Sequence, residues 1–325
     1  MCGPMLVDAG TKERIAAFNA TFRTVSASPF GADDEIGMLN LMTPKSCREV
    51  LRQADAGKIV DLALDYFVGM PSWAAGGDPP FQMWMTHTPE GTVVDDVMGV
   101  GRSQNEQITY SGDAFSMYTH CGTHLDTLNH FGYDGEVFNH FHHHDHLGSR
   151  GWTKNGADKH PPVVARGIML DIPALLGVEM LPSSYGITGA ELNSALRRQK
   201  LELRPGDVVL VRTGRIKSWP DPIAYMVDSP GLNLDGAKFL AEAGAMMIGA
   251  DTVSFEQMPT EVEDNWQVVH TYLLAECGIP IMEVVDCEAL AEEGIDEFAF
   301  VGACMKLRGA TGSPIRPLAM PFAAR

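Results

Sequence analysis

Positive charge is scarce in this chain: 24 lysines and arginines stand against 42 aspartates and glutamates, a formal net charge of −18. Phosphate recognition needs a basic footprint, so nucleic acid is not an expected partner. The surplus of negative charge describes a solvated surface and selects no substrate. Cysteine is sparse as well. The six (Cys2, Cys47, Cys121, Cys277, Cys287 and Cys304) are widely spaced and form no Cys-x-x-Cys pair. That argues against a disulfide framework and against a thiolate zinc finger. No apolar run approaches the ~20 residues of a membrane helix. The first residues lack the basic-then-apolar pattern of a secretory signal, so the expected location is the cytoplasm. A Gly-x-Ser-x-Gly elbow and a Walker loop are both missing. Gly99-Val100-Gly101 lacks the third glycine and the strand-to-helix setting of a dinucleotide site. What remains is 325 residues with 45% hydrophobic content, enough to bury a large core.

The chemistry concentrates in Thr119-His120-Cys121-Gly122-Thr123-His124-Leu125-Asp126-Thr127-Leu128-Asn129-His130-Phe131. Imidazole nitrogen and carboxylate oxygen form the ligand set preferred by zinc, manganese or ferrous iron. A helix would align His120 with His124 but turn Asp126 away. An extended strand places His120, His124, Asp126 and His130 on one face by parity. A flat strand, however, separates His120 from His124 by roughly 13 Å, too far to share an ion. The segment must therefore bend, and Gly122 can take the backbone angles or the close approach required. Cys121 has the opposite parity and reads as a small core residue. The plain alternative is a strand whose histidines are each satisfied separately.

These residues match His-x-Gly-Thr-His-x-Asp-x-x-x-His, and the chain resembles the cyclase-like metal hydrolases, the family of bacterial kynurenine formamidase and isatin hydrolase. The likeness continues through Gly69-Met70-Pro71-Ser72-Trp73 with Asp78-Pro79-Pro80-Phe81, then Arg166 to Asp171, Pro205 to Gly214 and Gly249-Ala250-Asp251-Thr252. It ends with His270, Gly278-Ile279-Pro280 and Ile281-Met282-Glu283. Leu128 departs from the proline that many members carry two residues after the motif aspartate. With the long lead containing Asp33-Asp34-Glu35, this points to a different subgroup from the classical formamidases. The resemblance implies His120, His124 and Asp126 as metal ligands, with Glu283 and His270 completing a second position. It implies a divalent cofactor, manganese or zinc, one or two per subunit. His130 is then the general base and acid, and Trp73, Phe81 and Phe131 contact the substrate. A small-molecule substrate and a homodimer or homotetramer are expected.

The implied activity is hydrolysis of an amide-type C–N bond in a cyclic amide, imide, lactam or N-formyl aryl amine. Rival readings are a metal-dependent cyclase, lyase or dehydratase, and a non-catalytic metal-binding protein. The implied fold is a compact mixed α/β domain with a barrel-like β core and peripheral helices. Local signals agree with a mixed fold: strands alternate with helices in the second half, while the first half is mostly strands and loops. Helices are expected from Pro44 with Thr43 as cap, at Gly189 to Lys200 with Thr188 as cap, at Asp235 to Ala243 and at Tyr272 to Glu276. Strands are expected at Ile59 to Leu64, Ile168 to Ile172, Asp207 to Arg212, Ala245 to Ala250 and Ile281 to Val285. Gly69 to Pro80 reads as a loop. No repeat or linker interrupts the chain, so one domain spanning 1–325 is expected, with 1–55 a mostly helical extension packed on it. Asp33-Asp34-Glu35 reads as a surface turn rather than an acidic metal cluster. The run His140, His142, His143, His144 and His146 around Asp145 reads as a polar loop near the site mouth, packed by Phe141 and Trp152, rather than as a dedicated second metal site.

Overall fold

A computed structural model describes residues 24–323 apart from 56, 220 and 263; Cys2 and the expected helical lead before residue 24 lie outside them. The centre of the fold is one mixed sheet of nine strands curled into a half-barrel. In chain order the strands are β1 (Val60–Asp61), β2 (His124–Asp126), β3 (Val163–Asp171), β4 (Val208–Arg212) and β5 (Met247–Ala250). They continue with β6 (Ile281–Glu283), β7 (Glu297–Gly302), β8 (Gly312–Pro314) and β9 (Leu318–Pro321). Their order across the sheet is β1–β9–β7–β3–β4–β5–β6–β2–β8. The middle run β3–β4–β5–β6 is parallel and the flanking pairs are antiparallel.

The parallel strands read as continuous apolar runs because both faces are covered. Val208, Val209, Leu210 and Val211 are all buried. The helix Gly189–Gln199 begins with a reciprocal capping box between Thr188 and Glu191, and the helix Leu234–Glu242 begins on Asn233. Leu192, Ala195, Leu196, Ala237, Leu240 and Ala241 pack from these helices into the same core as Ile168, Val209 and Ile248. Pro44–Leu51 is helical with Thr43 as cap, as its sequence predicts. Several expected elements differ in extent; the strand expected at Ile59 to Leu64 pairs only at Val60–Asp61, and that expected at Ile281 to Val285 ends at Glu283. The strand after Pro162 starts at Val163, five residues earlier than expected, because it pairs along its length with β7. The stretch Thr271–Glu276 is a π-helix continuing a short helical turn at Val268–His270. None of the helices among the described residues is long and apolar enough to cross a membrane.

Candidate metal centre

Strand β2 lies between β6 and β8, and its register builds the site. Glu283 pairs directly across from His124, and Gly312 sits opposite Asp126. The bend before β2 falls at Gly122, whose φ is +63°. A Cβ there would stand 2.6 Å from the Tyr66 ring, so only glycine fits. The bend is pinned from several sides. Tyr66 donates its hydroxyl hydrogen to the Thr123 carbonyl at 2.5 Å, Leu64 N–H donates to Thr123 Oγ1, and Thr123 Oγ1 donates to the Val284 carbonyl.

This bend brings the expected ligands together. His120 Nδ1 is 2.6 Å from Asp126 Oδ1, and its Nε2 is 2.9 Å from Thr311 Oγ1. His124 donates Nδ1–H to the Gly122 carbonyl at 2.8 Å, which turns Nε2 towards Asp126 Oδ1 at 3.3 Å and Glu283 Oε2 at 3.2 Å. His270 donates Nδ1–H to Glu256 at 2.7 Å and aims Nε2 at Glu283 Oε1 (3.1 Å) and Asp126 Oδ2 (3.6 Å). His120, His124, Asp126, His270, Glu283 and Glu256 are all buried. Candidate ligand atoms fall into two triads that share Asp126: His120, Asp126 and His130, and His124, Asp126 and Glu283. Within each triad they lie within 4.8 Å of one another.

The electrostatics follow from burial among carboxylates. Desolvation opposes charge on His124, yet Asp126 and Glu283 outweigh it and raise its pKa to about 10. For His270, burial is likewise overcome by Glu256 and Glu283, again to about 10. Burial pushes the other way on Asp126, but His120 and His130 hold its carboxyl well below the usual range. His124 Nε2 itself is buried and makes no hydrogen bond. A divalent cation in place of the Nε2 proton would neutralise both buried carboxylates and take up the imidazole lone pair. The donor set therefore fits such an ion.

His130 stands inside the cluster rather than beyond it. Its ring stacks on His120 at 3.8 Å between centroids, and Phe131 packs on it edge-on at 4.6 Å. It is only partly buried, unlike the other members. Desolvation by the surrounding rings, then the neighbouring His120, holds its pKa well below the ordinary value. Phe131 also meets His270 at 5.2 Å and Trp266 at 5.5 Å. Trp73 packs beside Val284, the residue after Glu283, in a cluster with Ile216, Tyr225 and Val253. Phe81 is placed differently: it is buried with Met70 and Cys121 on the side of the motif away from the ligands' parity, in ring contact with Tyr66.

Sequence reasoning missed Glu256, Thr311, Gly312, Tyr66 and Trp266. Glu256 and Thr311 are ordinary polar residues far from the motif in sequence, and only strand order brings them in. Gly312 has a definite job: a Cβ there would stand 2.5 Å from the His120 ring. Cys121 is buried, and the described cysteines are all free. Asp34 accepts from Ser28, Ile36, Gly37 and Asn40, and Glu35 holds Lys154 and the Asn155 N–H, so this acidic run is structural. The histidine run is not a loop: Phe141–His142 is a short strand and His143–His146 a helical turn, with Phe141 packed on His146, and His142, His143 and His144 bring ligand atoms within 4.8 Å of one another.

The curled sheet and its buried histidine–carboxylate centre define an α/β protein with a candidate metal-binding site among its described residues. The family model described as putative cyclase matches residues 60–257, and the chain belongs to that family. A crystal structure described as a novel cyclase shares 28% identity with a TM-score of 0.79, covering 90% of this chain and 95% of its own. Isatin hydrolase A from Ralstonia solanacearum shares 19% identity with a TM-score of 0.61, covering 81% of this chain and 92% of its own. An isatin hydrolase bound to the product analogue thioisatinate shares 18% identity with a TM-score of 0.60, covering 87% of this chain and all of its own. At such identities the isatin hydrolases establish a common fold. No curated protein matches the chain.

Proposed function

We propose that this protein is a metal-dependent hydrolase that cleaves an amide-type C–N bond in a small cyclic amide, imide or lactam, or in an N-formyl aryl amine. The observation that carries the reading is the buried convergence of His120, His124, Asp126, His270 and Glu283, with the partly exposed His130 among them. In this reading the ion is manganese or zinc, one or two per subunit, and would be held by His120, His124, Asp126, Glu283 and His270, leaving His130 free of it. A bound divalent ion supplies Lewis acidity and brings the pKa of water from 15.7 towards ~7.

The chain's own groups do the rest. Gly122 and Glu256 anchor the Nδ1–H groups of His124 and His270, fixing which nitrogen faces the centre. His130, kept neutral, has a lone pair to take a proton from water and can return it to the leaving nitrogen. Phe131 with Trp266 on one side and Trp73 on another offer flat apolar surfaces for a ring-shaped substrate. Phe81 takes part from beneath, packed on Cys121. The main core cluster draws on residues from Met38 to Ala319, which supports treating the described residues as one domain. Its place of work in this reading is the cytoplasm, and its form a homo-oligomer.

The membership of a cyclase family and the 28%-identical novel cyclase favour one alternative: a cyclase, lyase or dehydratase using the same residues. The deciding experiment offers N-formylkynurenine, isatin, a γ-lactam and a cyclic imide to protein stripped of metal and reloaded with manganese or zinc. Metal-dependent ring opening or deformylation, with ¹⁸O from labelled water in the product, is expected. A product formed without water incorporation transfers the assignment to the cyclase or lyase.

A further inference from the structure

Outside the buried centre the chain carries a second concentration of imidazoles. Five of its 11 histidines fall between positions 140 and 146: His140, His142, His143, His144 and His146. Composition alone makes this a polar stretch that any metal could visit. The fold sorts the five into two groups. His140 Nδ1 pairs with Glu136 Oε2 at 2.9 Å, and His146 Nδ1 lies 3.2 Å from Thr153 Oγ1 with its ring edge-on to Phe141. Those two are engaged by other side chains. His142, His143 and His144 meet one another instead. Their ring centroids are 4.6, 4.8 and 4.1 Å apart, and each ring brings a nitrogen within 4.8 Å of the other two.

The backbone holds the three rings in place. Glu136–Val137 pairs antiparallel with Phe141–His142, and the His143 N–H donates to the Gly135 carbonyl at 2.9 Å. His143–His146 is a single helical turn, and the His144 N–H donates to His142 Nδ1 at 3.1 Å. With Nδ1 held by the turn, His142 Nε2 lies over Gly135. A Cβ on Gly135 would stand 3.1 Å from His142 Nε2 and 2.9 Å from His143 Nε2, so both nitrogens overhang one glycine. The φ of +83° at that position itself favours glycine. The hairpin thus leaves open the space into which two of the three imidazoles direct a nitrogen, with the exposed His144 beside them.

We propose that His142, His143 and His144 form a second metal site at the surface, one that takes a borderline divalent ion such as zinc, nickel or copper. The triad holds imidazoles and no carboxylate, a ligand set that suits these ions and not manganese, magnesium or calcium. It differs in kind from the buried centre, where Asp126 and Glu283 share the coordination. At Zn–N bonds of ~2.1 Å a tetrahedral ion needs its nitrogens about 3.3 Å apart, so the rings close in by small rotations of the kind surface side chains make freely. Water completes the coordination. The ion takes Nε2 of His142, the hydrogen of that ring passes to Nδ1, and the His144 N–H bond is exchanged for the metal bond. A bound ion clamps the helical turn against the hairpin at Gly135.

The test counts zinc by elemental analysis on full-length, untagged protein, after equilibration with excess zinc and gel filtration. Wild type is compared with two double variants, His142→Ala with His144→Ala, and His140→Ala with His146→Ala. Each removes two imidazoles from the same run, so attraction by histidine content alone falls equally in both. The expected result is one zinc per chain fewer in the first variant and the wild-type count in the second. The single variant His144→Ala alters one exposed ring and is expected to lose the same zinc, so it reports even if the double variant misfolds; circular dichroism verifies the fold of each. Equal losses in the two double variants, which mean an adventitious ion only, overturn the proposal, as does an unchanged count in the first. With manganese in place of zinc, the first variant is expected to match wild type, and a loss of one manganese overturns the choice of ion. The readout is a difference in bound ions between chains that all keep the buried centre, so it is independent of the hydrolase reading, which is tested by turnover.

Discussion

A buried imidazole presents one nitrogen to a cation only when the other is held. His124 is held by its own bend, through the Gly122 carbonyl, and His270 by a carboxylate from elsewhere, Glu256. Glu256 also accepts the Val269 and His270 backbone N–H groups, so it fixes both ring and helical turn. Replacing it by glutamine keeps the shape but weakens the acceptor. Glu256→Gln is expected to lower metal affinity about 10–100-fold, read by competition with a coloured chelator. Asp126 and His130 divide differently. Asp126 belongs to both triads, so Asp126→Ala is expected to lose bound metal by elemental analysis. His130→Ala is expected to retain metal while turnover falls about 10²–10⁴-fold, the usual worth of a positioned proton carrier. Full activity in that variant removes His130 from the chemistry.

The elements place these residues with little slack. Strand β2 is three residues long, yet its two neighbours each contribute to the site: β6 sets Glu283 against His124, and β8 runs beneath His120. Gly312 in β8 is where that contact is closest. In Gly312→Ala the new Cβ must displace the His120 imidazole, with an overpacking cost of about 1–3 kcal/mol. The expected outcome is weakened metal binding with a lowered urea midpoint; unchanged affinity shows that His120 is not held by β8. The π-helical stretch after His270 belongs to this scale as well, since such irregular turns collect at functional sites.

For the molecule as a whole, acid stability is set by groups folded out of water. Burial holds His160 down to about 4, so the folded state keeps it neutral while the unfolded chain binds a proton near 6.5. Its contribution is complete above pH 6.5 and is lost as the pH falls from there towards 4, by about 3 kcal/mol at most. Asp251 runs the other way. Burial, only partly offset by donors from Thr213 and Gly214, raises it to about 6, so acidification from 6 towards 3.8 relieves a cost. The prediction is a shallower decline of the urea midpoint between pH 6.5 and 4 in His160→Gln than in wild type. Parallel curves would mean that His160 does not govern that window.

What the sequence determined by itself is local in origin. Thr43 and Thr188 sit where a first turn needs a side-chain acceptor, and the helices start there. Val208 to Val211 can only be a strand covered on both faces, and parity with a glycine between His120 and His124 demands a bent ligand segment. The family likeness added His270 and Glu283; the register of β6 on β2 sets Glu283 against His124, and His270 Nε2 reaches Glu283 from its helical turn. Tertiary structure alone decided what depends on strand order and on contacts between distant segments. Glu256 at His270, Gly312 under His120 and Tyr66 under Gly122 are separated in sequence by 14, 192 and 56 positions and carry no local mark. The same holds for the packing of Phe81 on Met70 and Cys121. Sequence periodicity records which side of an element is apolar. Which element covers that side is fixed only when the whole chain has closed.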